Sequence, residues 1–303
     1  MTQWWMRHWF RDTPPHIFAA LRIALGAVGM VTMLGLWDVP LLLSLDGIAP
    51  EPPGPVNEAI LQAGLGLATG WALWILNFGA FTALLIGWYT TAASLILFVV
   101  NLALVALNPM PLSGAQLLLH TLTIYPLLAD CGRVWSVDAW RAARRGTRLT
   151  LEPQPIWPLR LLQYQVCVIY LTAAMWKILD PTWRAGEALH YILNQNVFQR
   201  IPGEIPTAFA PVLTFLTYAT ILWEGLFTPA MLRPVTRRVF LLIGVAMHMG
   251  MWVLLDFGPF TLTMLTAYIA FIDPERVRRF DERLRSSRKR VPTTGTPDAL
   301  RAS

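Results

Sequence analysis

Charge is what this chain has least of. Only 14% of its 303 residues are Asp, Glu, Lys or Arg, while 55% are hydrophobic and the mean hydropathy is +0.49. A soluble domain carries nearer ~25% charged residues, so composition excludes a water-soluble globule and requires an integral membrane protein. Cysteine is scarce too. Cys131 and Cys167 have no metal-ligand spacing around them and are expected to be small buried hydrophobes. No nucleotide-binding glycine loop, HExxH helix, nucleophile elbow or Cys/His cluster occurs. Glu187 and His190, at i and i+3, are half of a metal motif without its second half, so surface pairing is the expectation and no metal is implied. The first apolar run lacks a small-residue cleavage motif and is expected to be a retained span, not a signal peptide.

What the chain does have is long apolar runs. A bilayer core takes about 20 residues per helix. The runs predict spans near 17–37, 64–86, 91–108, 113–130, 158–178, 206–231, 239–255 and 257–272, with the turn between the second and third at Gly87–Thr91. The expected fold is an all-α bundle of about eight transmembrane helices. Loop charge tests that count. Arg7 and Arg11 precede the first span; Arg133, Arg141, Arg144, Arg145 and Arg148 lie in 131–157; Arg233, Arg237 and Arg238 follow the sixth span. Loop 38–59 carries only acidic charge, and 179–205 is mixed. Basic loops alternate with poor ones, which places both termini in the cytoplasm. The net charge of +6 is thus explained by topology in a cell membrane, and no nucleic-acid partner is expected.

Many of the 14 tryptophans lie near span ends, as interfacial anchors do. Trp135–Arg145 and Trp183–Val197 have the pattern of amphipathic helices lying on the membrane, the first on the inner side and the second on the outer. Residues 1–280 are expected to form the transmembrane domain and 281–303 a basic, disordered cytoplasmic tail; Val277, Phe280 and Leu284 make a thin apolar stripe suited to anionic lipid.

Inside the spans the ionisable groups are few: Arg22, His120, Lys177, Glu224 and His248, with Asn77 and Asn101 as neutral additions. Each needs a partner or a cavity where water is absent. Arg22 lies about 8 Å from the cytoplasmic start of its span and Glu224 about 10 Å from the cytoplasmic end of its own. Equal depth and opposite charge suggest a pair; the alternative is that Arg22 snorkels and Glu224 is neutral. Lys177 at the outer end of the fifth span, His120 in the outer half of the fourth and His248 near mid-membrane are candidates to line one outward-facing cavity. Lys177 is either a snorkelling anchor or a base, and each histidine either lines that cavity or bonds a neighbouring helix.

The residues around Lys177 resemble a known family. Trp135-Ser-Val-Asp138, the stretch from Tyr170 through Lys177 and Trp183 to Gly186, the Glu224–His248 spacing, and His248 followed by Phe257-Gly-Pro-Phe260 through Met264 to Tyr268 are together similar to the HTTM (horizontally transferred transmembrane) domain, the membrane portion of vitamin K-dependent gamma-glutamyl carboxylases. The resemblance covers most of 15–280. It implies that Lys177 is the base toward a reduced, vitamin K hydroquinone-like quinone, with His248 and His120 bonding the ligand and a peptide glutamate as a further substrate. A histidine that the carboxylases use near the start of the fourth span falls here near Ala115, one turn from His120. The basic tail suggests that the carboxylases' large luminal domain is missing. The competing expectation is a non-enzymatic protein: a membrane scaffold, or an immunity or maturation partner of a secreted peptide.

Overall fold

The computed structural model describes residues 2–35, 54–107, 114–147 and 151–289. Residues 291–303, expected to be disordered, and most of loop 38–59 lie outside them. The chain opens with a surface helix α1 (Thr2–Phe10) and strand β1 (Asp12–Thr13), then α2 (His16–Gly35), α3 (Pro55–Gln62), α4 (Gly66–Ile86) and α5 (Thr90–Leu107). It continues with α6 (Gly114–Leu122), α7 (Ile124–Leu128), α8 (Val137–Arg144) and β2 (Gln154–Pro155), which pairs antiparallel with β1. The second half holds α9 (Trp157–Leu179), α10 (Pro181–Arg184), α11 (Ala188–Leu193), α12 (Ala210–Ala230), α13 (Pro234–Leu254), α14 (Phe260–Tyr268) and α15 (Pro274–Lys289). The expected tail is therefore helical as far as Lys289.

Among the described residues, five segments are long and apolar enough to cross a membrane: α2, α4, α9, α12 with its preceding turn Thr207–Phe209, and α13. The other three expected spans coincide with shorter helices. α5 is apolar over Thr90–Ala106, α14 extends only through the turn Ile269–Phe271, and the fourth is broken at Thr123 into α6 and α7. Pro126 causes that break, having no N–H for the Leu122 carbonyl and crowding it with its ring. The structure thus supports an all-α membrane protein with five candidate crossings among the described residues, and the expected count of eight is not confirmed by length and composition. α2 is the central helix, with 61% of its most apolar window buried, against 11% for α13, which turns most of its surface outward.

Arg22 does not pair with Glu224. It is fully buried, and its guanidinium donates to Leu84 O (2.6 Å), Leu85 O (2.8 Å), Trp135 O (2.6 Å) and Cys131 O (3.2 Å). Two of these carbonyls belong to the last turn of α4, where helix ends run short of donors; Leu84 O also receives the Gly87 N–H (3.2 Å). A cation at a helix C-terminus also matches the helix dipole. Gly87 ends α4 at φ +71, and a Cβ there would overlap Ser136 and the Arg22 guanidinium, so only glycine fits the turn.

The Trp135–Asp138 motif completes this junction. Ser136 caps α8 by accepting from Ala139 N, and Asp138 caps α5 through Tyr89 N, Thr90 N and Thr90 Oγ1 (each 2.9 Å). Trp135 Nε1 donates to Asp281 of α15 (2.9 Å), whose carboxylate also meets His16 (3.3 Å) and Arg285 (2.7 Å). One end of the bundle thus gathers the N-terminal segment, the Gly87 turn, the 131–155 segment and α15. The opposite end joins the α11–α12 connection to the α13–α14 connection: Gln199 bridges Leu255, Asp256 N donates to Phe198 O (2.8 Å), and Arg200 meets Asp256 (3.2 Å).

Candidate functional site

Lys177 finds its partner in Glu224. Its Nζ donates to both carboxylate oxygens, at 2.7 Å and 2.9 Å, with the two side chains only 19% and 10% exposed. Burying either charge alone is costly, and a two-point bond between them is the geometry that offsets the cost. Depth counting missed the pair because α9 and α12 are offset. The early turns of α12 do not sit level with the end of α9 but pack beyond it: Leu189 N donates to Thr217 Oγ1 (3.4 Å), and Tyr218 donates to Arg184 O (2.8 Å). Gly225 consequently faces Ala174, three residues before Lys177. Helix side chains lean toward their own N-termini, so in these antiparallel helices Lys177 and Glu224 lean toward each other.

Local sequence holds this arrangement. Tyr170, Ala174 and Lys177 recur at i, i+4, i+7 on one face of α9, and small Ala174 lets α12 approach. After α9 the chain turns at Asp180, whose Oδ1 accepts from Thr182 N (2.8 Å) and Trp183 N (3.1 Å), with Pro181 at the first helical position of α10. That cap sets the Trp183 ring 4.9 Å from Lys177 Nζ, a cation–π contact. Gly186, at φ +78 against Thr214 and Tyr218, then turns the chain into α11.

Beneath the pair lies a cavity of about 460 Å³, bounded by α9, α11, α12, α13 and α14. Its walls are mostly apolar, including Leu216, Met247, Phe260 and Met264, and the polar groups on it are Lys177, Glu224, His248, Tyr170 and Thr220, with the indoles of Trp183 and Trp223. The volume and the few polar groups in an apolar wall suit a small lipophilic ligand. Ala173, Lys177 and Trp183 also line a more open depression with Trp176 and Asp180, so the lysine stands between the cavity and the exterior.

His248 shares a hydrogen bond with the Tyr170 hydroxyl through Nε2 (2.8 Å), and Tyr170 is bonded in turn to the Tyr268 hydroxyl. His248 Nδ1 is buried without a partner. The structure therefore brings Lys177 and His248 to one cavity. His120 is elsewhere: it is buried on α6, which packs against α14 and α2, its Nδ1 has no partner, and it is not among the cavity residues. Asn77 and Asn101 bond each other (3.1 Å), and Asn101 reaches Thr123 (3.3 Å), tying α4 and α5 to the α6–α7 break. Tyr170, Trp183, Tyr268 and the pairing role of Glu224 were not singled out as site residues from the sequence. The signal for Tyr170 was its spacing of seven from Lys177.

Comparison with known proteins yields one relationship. The HTTM domain family model matches residues 10–275. No curated protein and no solved structure matches the chain.

Proposed function

Since the chain belongs to the HTTM domain family, we propose that it is a multi-pass cell-membrane enzyme that acts on a lipophilic quinol, with Lys177 as the base of an outward-facing site. The observation that carries this reading is the buried Lys177–Glu224 pair at the rim of a 460 Å³ apolar cavity that also presents His248. In this reading the bundle makes eight crossings with both termini cytoplasmic. The gathering of the arginine-bearing segments at one end of the bundle, opposite the Lys177 end, supports that topology.

The residues present fit a reduced quinone. Apolar walls accept its ring, and the ionic pair and His248 offer the few polar contacts that would orient a hydroxyl. Such a group, when bound, supplies an acidic hydroxyl and a reservoir of electrons. The protein's part is to move protons. In a site poor in water, the ion pair can convert to its neutral form when one proton passes from Lys177 Nζ to Glu224 Oε2 across 2.7 Å. The free amine then accepts a ligand proton at Nζ and becomes the ammonium beside the new anion, while Glu224 keeps the proton it received. Trp183 covers the ammonium and restricts water. The His248–Tyr170–Tyr268 chain ties α13 and α14 to α9 beside the cavity.

The test is to incubate purified protein with a reduced quinone, labelled bicarbonate and glutamate peptides, and to look for quinone epoxide and carboxylated peptide. Wild type should give product and Lys177→Ala should not, with both variants folded and inserted. Quinone binding and cellular phenotype that survive Lys177→Ala would exclude the enzymatic role and favour a scaffold, immunity or maturation partner.

A further inference from the structure

A second cavity, of about 530 Å³, lies at the opposite end of α9 from Lys177. It is lined by Arg11, Arg160, Arg237, Arg238 and Arg276, with Asp273 as its one acidic residue. Among the described residues none of these five arginines is in a salt bridge. Arg160 gives one nitrogen to Gln163 (2.8 Å), while its Nε is buried and unpartnered. Arg237 spends its Nε on Met231 O (3.2 Å). Asp273 is occupied in capping α15 through Glu275 N (3.1 Å).

The placement of these charges is unfavourable unless an anion is present. Arg160, Arg237, Arg238 and Arg276 lie in or beside the first turns of α9, α13 and α15. Helix N-termini carry partial positive charge and prefer acidic residues. Three such ends converge here with five guanidiniums against the single carboxylate of Asp273, an excess of positive charge that suits an anion. Arg11 is fixed in place because its carbonyl accepts from Ile156 N (3.0 Å) beside the β1–β2 ribbon. Part of the wall is hydrocarbon, from Leu159, Leu241 and Phe271, continuous with helices that face the membrane. A free polar anion has no use for such a wall.

We propose that this pocket binds the phosphate headgroup of an anionic phospholipid, with acyl chain lying against Leu159 and Leu241. It does not depend on the chemistry at Lys177. The site also accounts for a cluster of arginines that positive-inside topology alone would leave dispersed in solvent.

The test uses the full chain in detergent, with phosphatidylglycerol, phosphatidylcholine and inorganic phosphate as separate probes. Lipid retained through delipidating washes is counted by native mass spectrometry, and thermal unfolding is followed in parallel. Phosphatidylglycerol should be retained in preference to phosphatidylcholine, and binding should weaken about fivefold for each of Arg160, Arg237 and Arg238 changed to Gln. Arg238→Gln, on an exposed side chain, gives the same readout should the Arg160 or Arg237 variant fail to fold. Arg144→Gln with Arg145→Gln, outside the pocket, should leave retention unchanged. Competition by millimolar phosphate supports phosphate recognition. Equal retention of the two lipids, an equal loss in the Arg144/Arg145 control, or a full thermal shift from inorganic phosphate with none added by lipid would each overturn the assignment.

Discussion

At the scale of single residues, Lys177 and Glu224 show how a membrane protein keeps ionisable groups that hydrocarbon disfavours. Both side chains are largely withdrawn from solvent, so each is the other's main source of stabilisation. Removing one leaves the other buried and unpaired, and we expect Lys177→Met or Glu224→Leu alone to cost about 2–4 kcal/mol, toward the low side of buried pairs because some exposure remains. The double variant should recover most of that loss. A double-mutant cycle on thermal unfolding in detergent measures it; additive single effects would mean that the pair is not coupled. Cys131 makes a contrasting prediction. It is buried in the junction after α7, and burial pushes its thiol up to about 12, with Arg22 opposing the shift and Asp130 adding to it. An ordinary thiol with a pKa of about 8.5 is largely thiolate at about pH 9. In the folded protein, with its pKa above that pH, Cys131 should stay protonated and resist alkylation there, and should react only on unfolding. Mass spectrometry of iodoacetamide-treated protein, folded and denatured, decides this. The thiol's expected character as a small buried hydrophobe was legible in the sequence, since no ligand spacing surrounds it. The partner of Lys177 was not, because it is set by another helix.

At the scale of elements, the difference between expectation and structure is one of helix offset. Counting 1.5 Å per residue from the ends of apolar runs put Arg22 and Glu224 at equal depth. That count treated every run as starting at the membrane boundary, whereas the early turns of α12 pack on the α10–α11 segment and carry Glu224 outward relative to the count. Hydropathy cannot register this, since those turns are as apolar as the rest. The turn at Gly87, the Val137–Arg144 helix within Trp135–Arg145 and the positions of the apolar helices were legible, because each is written locally in glycine, tryptophan and arginine placement; the expected helix over Trp183–Val197 is instead broken at Gly186, leaving only Ala188–Leu193 helical after it. Arg22, freed from the expected pair, is instead the joint between α2, the end of α4 and the 131–135 segment. Lysine should not replace it: one ammonium on a flexible stem cannot reach four carbonyls spread around a planar fork. Arg22→Lys is expected to cost about 3 kcal/mol or more. Gly87→Ala should be destabilising through the same joint, by about 1–3 kcal/mol for a positive-φ residue with no room for a Cβ. Both losses would appear as lowered thermal midpoints and reduced membrane yield; an Arg22→Lys protein as stable as wild type would show that the carbonyl contacts are not needed.

At the scale of the whole molecule, the bundle is polarised. Arg160 and Lys177 are 17 residues apart on α9, about 25 Å by helical rise and close to the thickness of a hydrocarbon core. One end carries the arginine pocket and the Arg22 junction, and the other carries the Lys177–Glu224 cavity and its Trp183 cover. A cavity whose mouth is guarded by an ion pair at one boundary, and an anion pocket at the other, fit a single orientation in the bilayer. Positive charge stays in the cytoplasm, so the arginine end should face inward and Lys177 outward. The three short helices matter here, because five crossings would put the termini on opposite sides and eight put them on the same side. Single cysteines at Glu204, Asp256 and Arg145, in a background lacking Cys131 and Cys167, distinguish the cases in intact cells. A membrane-impermeant maleimide should label Glu204→Cys and Asp256→Cys from outside and leave Arg145→Cys unlabelled until the membrane is permeabilised. Reporters active only in the cytoplasm should be active when fused at either terminus. Labelling of Arg145→Cys from outside would invert the orientation. A reporter active at only one terminus would mean an odd number of crossings, and at least one of α5, the α6–α7 pair and α14 would then have to lie along the membrane instead of through it.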